Sequence, residues 1–370
     1  MRVVRRILRA ILLLVALVVA IPVMGLGYGF LTTDAPPSAP IVVPPPEAAA
    51  ISARLQAGIP GYKRPEESTF LTYPEWSIVY AARDYAGFVA GNSPSGFPYF
   101  AYVGRFWQDY AAMIRATSPY PFNFQNHLML MVIGISHTVE HVIQSLYENT
   151  IGRLSGLAAY PVAEDAYQAR VAADYAAFLD QVPWYRFPYA EKRAGLWAIP
   201  AEAGSARLRA WERKLGFGLA YTIKQSYADL IDSGLEATSD AALLDIHVWA
   251  EGPVADAIAG EPDTALETDL GADGAVFVTR RYQVFTDMIP RLVERGMRFV
   301  EIGGNDEIML TVLSNEEIAL PDGARLLFSY SLPTDPAEIR TGIAARVPDL
   351  HEVLPELENA GARLEHVYDY

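Results

Sequence analysis

The residues best suited to chemistry are two histidines and a glutamate in an H-x-x-E-H arrangement, His137, Glu140 and His141. They lie in a long apolar stretch predicted to be helical, and at about 100° per residue they share one face with Gln144 and Glu148. Histidines at i and i+4 present their imidazoles to one point, and a neighbouring carboxylate can take a proton from metal-bound water. The spacing indicates a candidate site in which His137 and His141 bind a divalent metal such as zinc and Glu140 is catalytic.

The five letters at 137–141 resemble the inverted zinc-peptidase motif. That resemblance implies a metal-dependent hydrolase with a third protein ligand from elsewhere, for which Glu148 and Glu212 are candidates. The same letters also resemble those of iron-dependent thioether lyases of the quorum-signal pathway. That family relies on a cysteine, and this chain contains none.

A second interpretation of these residues needs no metal. Lys224 is the only cation in the apolar helix predicted at 217–231. It can pair with Glu140 or Glu148 in a buried polar network, while His137 and His141 stay neutral and hydrogen-bonded. A non-metal ligand site or a proton-transfer site that includes Gln144 is a third interpretation.

The N-terminus predicts a membrane anchor. Four arginines in residues 1–9 precede 22 uncharged residues at 10–31, which would span about 33 Å as a helix. The positive-inside rule places the arginines in the cytoplasm and everything after residue 32 on the periplasmic or outer side of a bacterial inner membrane. A cleaved signal peptide is the competing interpretation, but its apolar region is usually only about 7–15 residues. We therefore expect the chain to contact the bilayer through residues 10–31.

The remainder divides into three parts by composition. Six prolines within 36–46 predict an extended stalk over 32–59. Residues 60–236 show helical periodicity, with Thr72 predicted to cap the first helix, Asn123 to cap the third and Gly152 to end it. Residues 237–370 mix strand and helix patterns, including a hairpin predicted around residues 303–306. The expected fold class is α+β, with a ferredoxin-like C-terminal region as one possible topology.

Composition excludes several functions. The absence of cysteine removes disulfides, thiolate metal sites and cysteine nucleophiles. The net charge of −15 argues against nucleic-acid binding, and the acidity is concentrated in residues 240–370, which hold 25 Asp and Glu against nine Arg and no Lys. Ten aromatic residues between Tyr80 and Tyr110 favour either a packed core or a pocket for an apolar ligand such as a lipid or quinone.

Four segments carry a broader resemblance: YPEW at 73–76, YENTIGR at 147–153, RYQVFT at 281–286 and EIGGNDEI at 301–308. They resemble segments of a group of uncharacterised, membrane-anchored bacterial proteins, and the resemblance covers most of residues 70–315. It implies a shared two-part architecture and no particular reaction. The leading hypothesis is a binding or assembly module for an apolar ligand or an envelope protein. The alternative is a metal-dependent hydrolase centred on residues 137–141.

Overall fold

The computed structural model describes residues 16, 19–34, 44–63, 66–235 and 244–369. Helix α1 covers residues 19–32, so part of the predicted anchor at 10–31 lies outside the described residues. Among the helices that are described, none is both long enough and apolar enough to cross a membrane.

Part of the predicted stalk is helical. Helix α2 (Pro46–Gly58) begins with a proline in its first turn, where the missing amide costs nothing. Its Leu55 packs with Tyr62, Trp249 and Val276 in a buried cluster. Residues 46–58 are therefore a packed helix rather than an extended spacer, because the sequence after the last proline is rich in alanine and apolar residues.

The described part of residues 60–236 is mainly helical, as its periodicity predicts. Its helices are α3 Glu66–Val89, α4 Tyr99–Ala116, α5 Phe124–Tyr147, α6 Arg153–Gly156, α7 Ala163–Leu179, α8 Tyr189–Ala198 and α9 Ala206–Leu235, with a π-helical segment at Glu148–Gly152 between α5 and α6. The side chain of Asn123 caps α5 as predicted, accepting a hydrogen bond from the amide of Asn126 at 3.3 Å.

Two local predictions are wrong. Thr72 does not cap α3, which starts six residues earlier and contains Pro74 in its interior. Phe70 and Tyr73 on either side of Thr72 are completely buried, so tertiary packing outweighs the local cap signal. Gly152 does not end its helix in the left-handed region, since its φ is −60°. Glycine leaves room for the Glu148 side chain, because a Cβ atom at position 152 would lie 2.5 Å from a Glu148 carboxylate oxygen.

The C-terminal region alternates strands and helices, which confirms the α+β class. In chain order it contains β1 Asp245–Glu251, α10 Val254–Ala257, β2 Ala265–Asp269, β3 Ala275–Arg280, α11 Gln283–Glu294, β4 Arg298–Ile302, β5 Glu307–Ser314, β6 Ala324–Ser331, β7 Ile339–Arg346, α12 Leu350–Asn359 and β8 Arg363–Tyr368.

These strands form two four-stranded antiparallel sheets that repeat one topology. Sheet 1 has the order β2-β3-β1-β4 and sheet 2 the order β6-β7-β5-β8. In each sheet the first strand lies between the third and the fourth, and one helix connects the third strand to the fourth. The predicted hairpin is therefore wrong: β4 and β5 belong to different sheets. Gly303 and Gly304, with φ of 59° and 72°, turn the chain from one sheet to the other.

The two sheets share a core with α11 and α12, and each also has a second covered face. Alternation along β1 directs Val248 into the shared core and Trp249 toward α2. Along β5, Leu310 lies in the shared core and Met309 packs with residues of α3. Sheet 2 is therefore joined to the helical region by buried contacts.

Candidate functional site

The predicted histidine pair is in place, but its neighbours are not arranged as a metal centre. The rings of His137 and His141 have centroids 4.0 Å apart, and Nδ1 of His141 lies 3.0 Å from the His137 carbonyl oxygen. Burial lowers the pKa of His137 well below its usual value, and the neighbouring His141 adds to this effect. His137 is therefore neutral.

Glu140 forms an ion pair with Lys224. The Lys224 ammonium nitrogen lies 2.5 Å from a Glu140 carboxylate oxygen, and the side chain of Lys224 is 31% exposed and that of Glu140 48% exposed. This is the Glu140–Lys224 pair of the metal-free interpretation. Burial raises the pKa of Tyr85, and the nearby Gln144 side chain lowers it by a smaller amount.

Glu148 and Glu212, the candidate third ligands, are held by other groups. Glu148 is completely buried and accepts two hydrogen bonds from Arg213, at 2.6 and 2.7 Å, instead of pairing with Lys224. Glu212 accepts a hydrogen bond from Ser155 at 2.8 Å. Within the described residues, no three His, Asp or Glu side chains are grouped to hold a metal ion. The geometry does not favour the hydrolase.

The Glu148–Arg213 pair belongs to a buried ionic network that sequence reasoning missed. Asp165 of α7 lies 2.9 Å from Arg209 and 3.0 Å from Arg213, both on α9. Both arginines are almost completely buried. The network ties the π-helical segment to α7 and α9, and its partners come from segments too far apart in sequence for any local motif to reveal it.

A polar pocket where α3 and α4 meet sheet 2 was also missed. Its water-accessible space is about 10 Å³, enough for one water molecule, and it is lined by Ser77, Tyr80, Tyr102, Arg105, Asp109, Tyr330, Pro333 and Arg340. Most wall groups already have partners. Arg340 donates two hydrogen bonds to Glu365, both at 2.7 Å, and Tyr102 donates one to Asp84 at 2.6 Å.

Asp109 is the unusual member of this pocket. Its side chain is almost completely buried, and its nearest cation, Arg105, lies 3.7 Å away, beyond hydrogen-bond distance. Burial raises the pKa of Asp109 to about 7, against the lowering effects of Arg105 and Arg340. A carboxyl group is thus held close to its titration point at neutral pH.

The most extensive feature is an exposed apolar surface on the helical region. Of the 29 large apolar side chains that are exposed among the described residues, 27 lie in residues 19–230 and two in 244–369. Twelve of them form two stripes at helical spacing. The α9 stripe comprises Leu208, Trp211, Leu215, Leu219, Ile223 and Leu230, and the α5 stripe comprises Leu128, Val132, Val139, Ile143 and Leu146 together with Ile151 of the π-helical segment.

Helix α1 packs against α4 beside these stripes. A Cβ atom at Gly25 would lie 2.3 Å from the indole ring of Trp107, and one at Gly29 would lie 2.2 Å from the Trp107 carbonyl oxygen, so this G-x-x-x-G pair lets the two helices approach closely. At the end of α1, the Arg115 guanidinium donates hydrogen bonds to the carbonyls of Phe30, at 2.8 Å, and Thr33.

Comparisons of this chain with protein-family models, with curated proteins and with solved structures find no match.

Proposed function

We propose that the chain is a membrane-anchored, envelope-facing binding and assembly module whose helical region lies against the bilayer. The observation that carries this proposal is the concentration of exposed apolar side chains on residues 19–230. Soluble monomers rarely expose contiguous apolar surface on this scale. The partner we propose for the α5 and α9 stripes is the acyl-chain region of the outer leaflet.

The contacts of α1 support an orientation. Tyr28 lies against Gly104 near the start of α4, and Thr33 lies against Arg115 near its end, so α1 and α4 run in the same direction. If residues 10–31 cross the bilayer outward, α4 lies beside the outer part of that span, with its first residues deepest. Helix α5 runs opposite to α4, since Gly134 contacts Trp107 while His141 contacts Tyr99. The C-terminal end of α5 therefore lies at the same end as the start of α4.

The beginning of α9 lies at the same end of the bundle. Arg213 pairs with Glu148, and Lys224 pairs with Glu140, so α9 is antiparallel to α5. Trp211 contacts Trp197 of α8, with ring centroids 6.0 Å apart, and both indoles are nearly half exposed. Exposed tryptophans beside leucines are typical of the level of the lipid headgroups.

The interior supports a partner more than an enclosed apolar ligand, because the pocket at the junction is polar and small. The assembly role then belongs to the α+β region. The helical region holds it at a fixed position relative to the bilayer, where it binds an envelope protein. Each of its halves has the strand order fourth-first-third-second of a ferredoxin-like unit, with the first helix reduced to α10 or absent. We propose that both are abridged ferredoxin-like units.

A photoreactive lipid tests the bilayer contact. The full chain is reconstituted in bilayers whose acyl chains carry a diazirine, irradiated, digested and analysed by mass spectrometry. We expect labelled peptides from 128–157 and 208–230, in addition to the anchor, and none from 244–369. Labelling confined to residues before 34 would reject the proposal and favour a protein partner on the two stripes.

A further inference from the structure

The pocket containing Asp109 lies where α3, α4 and sheet 2 meet. The hydroxyls of Tyr73 in α3 and Tyr330 in β6 form a hydrogen bond there, with 2.7 Å between the oxygens. The hydroxyls of Tyr80 and Tyr368 form another at 2.6 Å. These bonds connect residues more than 250 positions apart. A change of charge at this point acts on the contact that holds the α+β region to the helices.

Two polar atoms in this pocket have no hydrogen-bond partner. They are one carboxylate oxygen of Asp109, Oδ2, and the hydroxyl of Ser77, and both side chains are at least nine-tenths buried. A buried carboxylate oxygen without a hydrogen-bond partner is costly, whereas a neutral carboxylic acid is far less so. Arg105, Arg340 and the Tyr73 hydroxyl favour the ionised form of Asp109, but the effect of burial outweighs theirs. The opening of the pocket to solvent gives a proton a path to Asp109 while the fold stays intact.

Arg105 is placed to respond to the charge on Asp109. Its guanidinium carbon lies 3.7 Å from the ring centroid of Tyr330, in a stacking contact between α4 and β6. The same guanidinium forms an ion pair with Asp109, with 3.7 Å between Nη1 and Oδ1, which is too long for a hydrogen bond. Arg105 therefore contacts both the strand and the carboxylate, and shortening the ion pair to hydrogen-bond distance draws it away from Tyr330.

We propose that Asp109 is a proton-binding site that controls how tightly the helical region is held against sheet 2, with Arg105 as the responding group. With its proton, Asp109 is neutral and Arg105 remains on Tyr330. Without it, the carboxylate recruits Arg105 and water, and the contact between α4 and β6 loosens.

The surrounding titratable groups leave Asp109 as the one that changes charge in this pocket near neutral pH. Burial raises the pKa of the tyrosines, so they stay neutral, and Arg340 is paired with Glu365. Asp84, whose pKa burial also raises, accepts the Tyr102 hydrogen bond. Besides Asp109, the titratable groups that line the pocket are Tyr80 from α3, Tyr102 and Arg105 from α4, Tyr330 from β6 and Arg340 from β7. Tyr73, Asp84, Glu365 and Tyr368 lie behind them as hydrogen-bond partners of this lining.

Hydrogen exchange of the full chain in lipid nanodiscs tests the proposal. Peptides covering 99–116 and 324–346 are followed at pH 6 and pH 8, with exchange times corrected for the intrinsic rate. A group whose pKa is near 7 in the closed junction and ordinary in the open one increases the opening constant about tenfold over this range. We expect that increase in the wild-type chain and its loss in Asp109→Asn, which stays neutral.

Asp245→Asn is the matched control, because Asp245 forms a partly exposed pair with Arg280 on sheet 1. It should keep the full response. An unchanged response in Asp109→Asn, or no response in the wild-type chain, overturns the proposal.

If Asp109→Asn does not fold, infrared difference spectroscopy of Glu75→Gln between pH 6 and pH 8 decides instead. That variant removes the other carboxyl group with a pKa near 7. Loss of a protonated-carboxyl band supports the proposal, and the absence of such a band refutes it.

Discussion

Gly25 of α1 lies directly against the indole ring of Trp107 in α4, so closely that a Cβ atom at Gly25 would be 2.3 Å from Cδ2 of the ring. The helix that continues the predicted anchor is therefore part of the packing of the helical region. This contact fixes which end of the bundle faces the bilayer in the proposed arrangement, and it supplies a direct test.

Gly25→Leu should destabilise the full chain by about 1–3 kcal/mol, because the added side chain has to displace Trp107. Gly27→Leu is the matched control, since nothing lies within 4 Å of a Cβ at that position. Thermal unfolding in detergent measures both. Equal losses in the two variants would show that α1 does not pack on α4 in this way.

The two carboxylates of the polar stripe should differ strongly in their contribution to stability. Glu148→Gln removes the two-bond charge partner of the buried Arg213, which keeps Asp165 at 3.0 Å, and should cost about 3 kcal/mol. Glu140→Gln breaks the partly exposed pair with Lys224 and should cost about 1 kcal/mol or less. Chemical unfolding of both variants checks this difference, and a Glu140→Gln loss as large as that of Glu148→Gln would contradict it.

Metal removal should leave the protein unchanged. The third-ligand candidates are bonded to Arg213 and Ser155, so His137 and His141 lack a complete ligand set among the described residues. We expect elemental analysis of the purified chain to find no stoichiometric transition metal and a chelator to leave the melting temperature unaltered. One equivalent of zinc that is lost in His137→Ala would restore the hydrolase hypothesis.

Glu75 should make stability depend on pH. Burial raises the pKa of Glu75 to about 7, although Arg281 lowers it. A carboxyl group whose pKa is raised by folding stabilises the native state below its unfolded-state pKa, near 4.5, and this contribution is lost as the pH rises through 7.

The melting temperature of the wild-type chain should therefore fall between pH 5 and pH 8, and Glu75→Gln should make this fall smaller. The pH-dependent free energy of unfolding that Glu75 contributes is on the order of 3 kcal/mol at most. Glu352→Gln, at an exposed position on α12, should leave that fall unchanged. A pH profile that is identical in the wild-type chain and Glu75→Gln would contradict this prediction.

The sequence was sufficient for the features that depend on local periodicity. Helices such as α7, α8 and α9, the Asn123 cap and most strands follow from spacing within ten to thirty residues. The Glu140–Lys224 pair was one of the predicted alternatives because both residues are isolated charges in apolar helices.

Features that depend on distant partners were not predicted. Strands β4 and β5 flank a turn that is typical of a hairpin, but β4 pairs with β1 and β5 with β7 and β8. The Asp109 pocket depends on Tyr330 and Arg340, more than 200 residues away, and no local motif marks it. The apolar stripes were visible as periodicity, which predicts a buried face, and only the packing shows that these faces are uncovered.

The most direct test of the proposed membrane contact uses the absence of cysteine, which allows a single label at any chosen site. Leu219→Cys on the α9 stripe, Leu31→Cys at the anchor and Leu326→Cys on β6 are each labelled with bimane in proteoliposomes that contain brominated acyl chains. All three positions are exposed in the structure. We predict that bromine quenches the label at 219 as at 31 and leaves the label at 326 unaffected. A label at 219 that behaves like the label at 326 would contradict the account.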